Sequence, residues 1–367
     1  MPALVDVGSG LSPRVTVVLP VYGGAAHVGA AVESVLAQTF GDFELLVLDD
    51  ASPDESAAIA ESFGDPRVRV VRNERNLGQV ATLNRGLREA CGEYVARLDQ
   101  DDACLPERFA RQVELLDAEP RVAAAGTWIE VVDDDGRTLE RTTARLDDVV
   151  DTLELTLLDR LPLAHPSVML RREPALALGG YDETVRYCED QDLWRRLVLA
   201  GHELRVVPEP LLRYRVHSGQ QSSLHAEEQR ANNEAAIERF IAAVAPGVDA
   251  RLVRIAFTRQ LELWNELESE HDAARLADDL RTLLAALDEL FRLDAKQSQE
   301  LETRLRTHIA RTVEGGWRTG IAHWGRTSPP LAEFGERRAR YTLLRLAAPF
   351  LALARTAGKR AVGKVSA

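Results

Sequence analysis

Asp99-Gln100-Asp101-Asp102 places three carboxylates within four positions, directly after Tyr94 to Leu98, a stretch that reads as a buried strand. Like charges held that close repel one another and are costly unless a cation sits among them. A divalent ion answers the repulsion, and an all-oxygen ligand set favours a hard one, magnesium or manganese. Magnesium typically takes one or two protein carboxylates and completes its shell with substrate phosphates, so the cluster points to a diphosphate-bearing substrate. Alone, the same run also fits a solvated acidic loop. The elements that carry it decide between the two.

Those elements alternate. Val15 to Pro20 is an almost continuous apolar run, as a strand covered on both faces requires. Ala25 to Gln38 reads as a helix, with Val28, Ala31, Val32, Val35 and Leu36 on one face. Phe43 to Leu48 is a second buried strand, ending in Asp49-Asp50, and Ser52-Pro53-Asp54-Glu55 carries the cap, proline and early acids of a helix start. Val68 to Val71 is a third strand, Leu77 to Ala90 a helix, Glu93 to Leu98 a fourth strand, and Leu105 to about Asp117 another helix. Strand and helix alternating with short links predict a mainly parallel α/β sheet. Ligands of such sheets sit beyond the carboxyl ends of the strands, where Tyr22, Asp50 and Asp99 to Asp102 all fall.

After Pro120 the pattern changes. Val122 to Val132 and Arg137 to Thr143 flank Asp133-Asp134-Asp135-Gly136 as a hairpin. Pro166 to Leu170 and Leu211 to Val216 read as short strands, and Glu189 to Ala200 as a helix. From about Ala226 to Val313 the chain reads as wholly helical, with Leu276, Leu280, Leu283, Leu287 and Leu290 as an apolar stripe, until Gly315-Gly316 and Thr327-Ser328-Pro329-Pro330 break it.

Composition narrows the class. The chain has 367 residues, a formal net charge of −13 and a 45% hydrophobic fraction. This describes a globular protein of one or two domains whose overall field disfavours nucleic acid. Three cysteines, Cys91, Cys104 and Cys188, have no CxxC spacing and fit a reducing, cytoplasmic setting better than a disulfide framework. No apolar run approaches the roughly 18 residues of a membrane span, and Met1 to Ser12 lack the basic start and apolar core of a signal peptide.

Nine segments in order resemble the inverting glycosyltransferases of family 2, which have the GT-A fold. They are Val17–Tyr22, Ser34–Phe40, Leu48–Ser52, Asn73–Gly78, Ala81–Asn84, Gly92–Asp102, Gly179–Asp182, Glu189–Leu193 and Tyr214–His217. The resemblance covers roughly Arg14 to Ser223 and implies a metal-dependent transfer of a sugar from a nucleotide-diphosphate donor, UDP or dTDP favoured, to a hydroxyl of a glycan or lipid-linked acceptor. Cell-surface polysaccharide or glycan biosynthesis is the setting it suggests. It also implies roles. Pro20, Tyr22 and Asp50 lie beside the nucleotide base, and Asn76, Gly78 and Asn84 run beneath the nucleotide. Asp99-Gln100-Asp101 is the DxD motif: Asp101 touches magnesium or manganese, and Asp99 meets the sugar, the ribose or the metal. Asp102 either supports that site or caps the next helix. His217 contacts metal or diphosphate. Asp190, with Glu189 as second choice, is the base that takes the acceptor's proton, against the plain alternative of two acids capping a helix. His165, Tyr181 and Asp182 frame the acceptor cleft, unless they serve only turns and packing.

The expected organisation is a flexible tail over residues 1–13 and a GT-A domain over 14–225, with a nucleotide-binding half at 14–120 and an acceptor-binding half at 121–225. An all-helical extension over 226–330 and a basic amphipathic tail over 331–367 follow. The QxxRW motif of the family's processive synthases is absent, which favours one transfer per encounter. Other classes fare worse. A nucleotidylyltransferase should carry a basic phosphate loop after its first strand, whereas Tyr22-Gly23-Gly24-Ala25-Ala26-His27 has no Lys or Arg. A scaffold derived from the family would be marked by loss of Asp101 or Asp190, and both are present. Tyr341 to Ala354 is apolar with basic flanks, so peripheral contact with the inner face of an anionic membrane, packing on the body, a homo-oligomer contact and a disordered basic tail all stay open.

Overall fold

The computed structural model describes residues 12–159, 161–217, 225–257 and 270–324. Four strands open the fold: β1 (Val15–Val21), β2 (Phe43–Asp49), β3 (Val68–Arg72) and β4 (Tyr94–Arg97). They run parallel in the order β3-β2-β1-β4, with Val17 opposite both Leu45 and Ala96. Val15, Val17, Leu19, Leu45, Val47 and Ala96 have no exposed surface, as their unbroken apolar runs require. The links are helices α1 (Val28–Leu36), α2 (Ser56–Glu61) and α3 (Gln79–Glu89). Helix α1 buries Val28, Ala31, Val32 and Val35, the face that its spacing predicts.

Past β4 the sheet becomes mixed rather than mainly parallel. The short β5 (Ala103–Cys104) leads to α4 (Arg108–Ala118), then β6 (Val122–Val132) pairs antiparallel with β7 (Thr138–Arg141). Strand β8 (Met169–Arg171) runs antiparallel between β4 and β6, β9 (Glu203–Arg215) lies parallel to β6, and β5 pairs antiparallel with β9. Helices α5 (Val149–Leu157), α6 (Arg172–Ala177) and α7 (Glu189–Leu199) complete this half.

Several boundaries differ from the sequence reading for identifiable reasons. Helix α2 starts at Ser56, not Pro53, because Asp49 and Asp54 spend their carboxylates on backbone N–H groups of Ser52, Ser56 and Ala25. Residues His165–Ser167 form one 3₁₀ turn instead of the start of a strand. Strand β9 begins eight residues early: Thr127 faces Val207 and Trp128 faces Pro210, so Pro208 and Glu209 bulge out and the prolines do not end the strand.

The chain divides into two compact units, one of residues up to 152 with 161–233, the other of 153–160 with those from 234 on. Residues 225–233 thus group with the first unit, whereas 226 onward is expected to belong to the helical extension. Described helices after α7 span Ala226–Val244, Ala250–Phe257, Glu270–Phe291 and Ala295–Trp324. The last runs through Gly315-Gly316, so those glycines do not break it; their cost of about 1 kcal/mol each is outweighed by propagation along a long helix. Leu276, Leu283 and Leu287 are buried, while Leu290 is exposed. No described helix is long and apolar enough to cross a membrane. The expected basic tail, and the tail before residue 12, lie outside the described residues.

Candidate functional site

A cavity of about 870 Å³ opens beyond the carboxyl ends of β1, β2 and β4. Pro20, Tyr22, Asp50, Asn76 and Gly78 line one part of it, Asp99, Gln100, Asp101 and His217 another, and His165, Glu189 and Asp190 a third.

On the first side Asp50 is 4% exposed and organises a loop. Its Oδ1 accepts from Asn73 Nδ2 (2.6 Å) and Leu77 N (2.8 Å), and its Oδ2 accepts from Gly78 N (2.9 Å). Gly78 has φ +87°, a left-handed conformation that a side chain would strain. Asn76 Oδ1 also accepts from Gly78 N at 3.0 Å. Tyr22 is half exposed, and its backbone N and O are clasped by the Gln100 amide at 2.9 and 3.2 Å. A Cβ on Gly24 would lie 2.4 Å from Gln100 Oε1 and would displace the amide from this clasp. Gln100 therefore ties the acidic loop to the loop after β1, a role that the acids on either side of it conceal in the sequence.

The acids converge as their spacing suggests: carboxylate oxygens of Asp99, Asp101 and Asp102 lie within 4.8 Å of one another. His217 Nε2 is 3.0 Å from Asp101 Oδ2. Asp102 is 3% exposed; its Oδ1 accepts from Arg215 N at 2.9 Å, while its buried Oδ2 has no hydrogen-bond partner among the described residues. Burial, then the charges of Asp99 and Asp101, push the Asp102 carboxyl well above the usual range. Burial also raises Asp99, against the pull of Arg97. A buried oxygen without a partner among repelling carboxylates fits a hard divalent cation. The Arg215 guanidinium donates to the carbonyls of Asp101, Asp133 and Asp134, so it braces this loop against the β6–β7 turn.

The third side is set by the start of α7. Glu189 is 7% exposed, and burial followed by repulsion from Asp190 raises its carboxyl to about 7. Burial raises Asp190 too, opposed by the Gln191 N–H and by Arg97 and Arg195. His165 Nε2 sits 2.9 Å from the Tyr181 hydroxyl, and burial, then Arg97, holds the ring well below its ordinary pKa, hence neutral. Arg97, 3% exposed, lines the cavity and pairs with Asp99, while its Nε has no hydrogen-bond partner among the described residues. This cation offsets acids on two walls. A lone basic residue inside an apolar strand was the available signal for it.

Three expected site residues do not line the cavity. Asn84, expected beneath the nucleotide, is a staple instead: its Oδ1 accepts from Tyr181 N and its Nδ2 donates to Tyr181 O, both at 2.8 Å. Gly180 makes room, since a Cβ there would fall 2.4 Å from Asn84 Oδ1. Asp182 caps its own turn, accepting from Thr184 N and Oγ1 at 2.8 and 2.7 Å. Tyr181 is 4% exposed and acts on the cavity wall only through His165. Conversely, Tyr187 and Gln229 line the cavity and carry no motif.

Comparison with known proteins agrees with this architecture. Residues 16–176 match the family model for glycosyl transferase family 2. The putative glycosyltransferase EpsE of Bacillus subtilis (strain 168) is 30% identical over 56% of this chain and 74% of its own length. The amylovoran biosynthesis glycosyltransferase AmsE of Erwinia amylovora is 31% identical over 51% of this chain and 70% of its own. The succinoglycan biosynthesis protein ExoO of Rhizobium meliloti (strain 1021) is 29% identical over 82% and 88% respectively. Among solved structures, S. aureus TarS 1–349 in complex with UDP-GlcNAc superposes with a TM-score of 0.55 at 17% identity, covering 84% of this chain and 92% of that one, a likeness of fold.

Proposed function

The chain belongs to glycosyl transferase family 2 and is a glycosyltransferase, and from that premise we propose that it moves a sugar with inversion from a nucleotide-diphosphate donor, UDP- or dTDP-linked, to a hydroxyl of a glycan or lipid-linked acceptor. The relatives named for amylovoran and succinoglycan biosynthesis support a place in polysaccharide assembly. One observation carries the reading: Asp99 and Asp101, clustered with Asp102, line the same cavity as the Glu189–Asp190 pair.

Each residue then has a task. Pro20, Tyr22 and the loop pinned by Asp50 receive the nucleotide, with Asn76 and Gly78 at its edge. Asp99, Asp101, Asp102 and His217 would hold magnesium or manganese. The ion, when bound, supplies Lewis-acid stabilisation of the charge on the departing nucleoside diphosphate. Asp190 accepts the proton of the acceptor hydroxyl as that oxygen attacks the anomeric carbon from the face opposite the diphosphate. The raised pKa of this carboxyl, and of Glu189 beside it, brings their basicity closer to neutral pH, as general-base catalysis needs. His165, neutral, offers a hydrogen bond at the acceptor side.

A thermal-shift screen of UDP-, dTDP- and GDP-sugars with manganese, followed by analysis of the released nucleotide, tests the proposal, since a ligand that binds the folded state stabilises it. Release of nucleoside diphosphate supports it; release of pyrophosphate, or no binding by any donor, refutes it.

A further inference from the structure

Resting on that reading, we propose that Tyr187, backed by His225, is the platform on which the acceptor sugar lies. The acceptor is then a pyranose that presents a C–H face to the tyrosine ring while its hydroxyl meets Asp190.

The argument begins with a backbone anomaly. Tyr187 stands two residues before Glu189 and has φ +59°, a left-handed conformation rare and strained for a bulky side chain. Such a conformation persists only where its surroundings impose it, and here the imposing contacts are visible. Asn232 Nδ2 donates to the Arg186 carbonyl at 2.8 Å. Asn233 Oδ1 accepts from Cys188 Sγ at 3.3 Å and from Arg195 Nη1 at 2.7 Å. The Tyr187 ring lies flat on the His225 ring, centroids 4.0 Å apart and planes 8° from parallel. The carbonyl before Tyr187 and the side chain of Cys188 after it are thus held by one short segment, 225–233, which also stacks on the ring.

This hold fixes Tyr187 in place at the cavity, which it lines together with Gln229 from the same segment. Of the three tyrosines lining the cavity, Tyr22 belongs to the loop that follows β1 and Tyr214 to β9, whereas Tyr187 adjoins the carboxylates assigned to the acceptor. A stacked ring offers only its other face to a ligand. That face is apolar in area and negative in charge, and it suits the weakly positive C–H groups along one side of a pyranose. Tyrosine adds little entropy cost to binding, since the His225 stack has already ordered it. The rigid hold also fits a role in recognition better than one in turn formation, for which glycine or asparagine at position 187 would be cheaper.

The test uses the full chain with magnesium and UDP, dTDP or GDP, and saturation-transfer NMR against a panel of methyl hexopyranosides. At least one glycoside should receive saturation, strongest on the protons of one ring face. Tyr187→Asn removes the ring yet tolerates the backbone conformation, and should weaken that glycoside about tenfold or more; Tyr187→Phe should stay within about twofold. His225→Ala should weaken it about threefold by loosening the ring. Nucleotide affinity should be unchanged in all three variants, which also reports folding. The inference is overturned if no glycoside gives a signal that depends on Tyr187, or if Tyr187→Asn weakens nucleotide and glycoside alike. Failure of the wild-type chain to bind any nucleoside diphosphate would instead bring down the donor reading on which this one stands.

Discussion

Replacing Glu189 by Gln should make the protein more stable in alkali than the natural chain. Burial and the neighbouring Asp190 carboxylate raise Glu189 from 4.5 to about 7. The folded state therefore holds a proton that the unfolded state has already released, and stability falls as pH rises between the two values. Between about pH 5.5 and about pH 8.5 the group accounts for a fall of about 2 kcal/mol. The amide in the Glu189→Gln variant cannot ionise and keeps nearly the same shape. Relative to the natural chain, the variant should gain about 2 kcal/mol between those pH values, or about 4–8 °C in melting temperature for a unit of this size. Differential scanning calorimetry in chelator, at both pH values, measures the difference. A gap that is the same at both ends, or that favours the natural chain at alkaline pH, would refute the burial argument.

Other substitutions probe other parts of the account. Asp101→Ala should abolish the difference between turnover with manganese and turnover with EDTA, measured as nucleoside diphosphate release. Asn84→Ala strands the buried N–H and C=O of Tyr181 and should cost about 3 kcal/mol in urea unfolding, with donor affinity nearly unchanged once the protein is folded. Gly86→Ala puts a Cβ 2.6 Å from Val18 Cγ1 and 2.9 Å from Leu48 Cδ1, and should lower stability by about 2 kcal/mol in the same assay.

Legibility in the sequence followed burial. Strands β1, β2 and β4 are buried almost throughout, so Val15 to Pro20 and Phe43 to Leu48 announce themselves as apolar runs, and the acids at their ends mark the rim. Strand β9 was half hidden because Pro208 and Pro210 imitate a loop, while the bulge that admits them depends on the partner strand. Beyond the β6–β7 hairpin, which its turn residues mark, the order and direction of the strands after β4 were out of reach, since they are tertiary facts. Side chains that work on one another were the hardest to place. Asn84 and Asp182 sit in motifs yet serve the backbone, and Gln100 and Arg97 serve the site although their neighbours attract the attention. Tyr187 depends on a segment some forty residues later, and nothing local marks it.

Calorimetric titration of Asp190→Asn protein with the preferred nucleotide sugar and manganese tests the central claim most directly. If Asp190 is the base and takes no part in holding the donor, the variant should bind with the affinity of the natural chain while transfer to acceptor is lost. Unchanged transfer, or donor binding lost together with it, would contradict a division of labour between a cation-holding wall and a proton-accepting wall of one cavity.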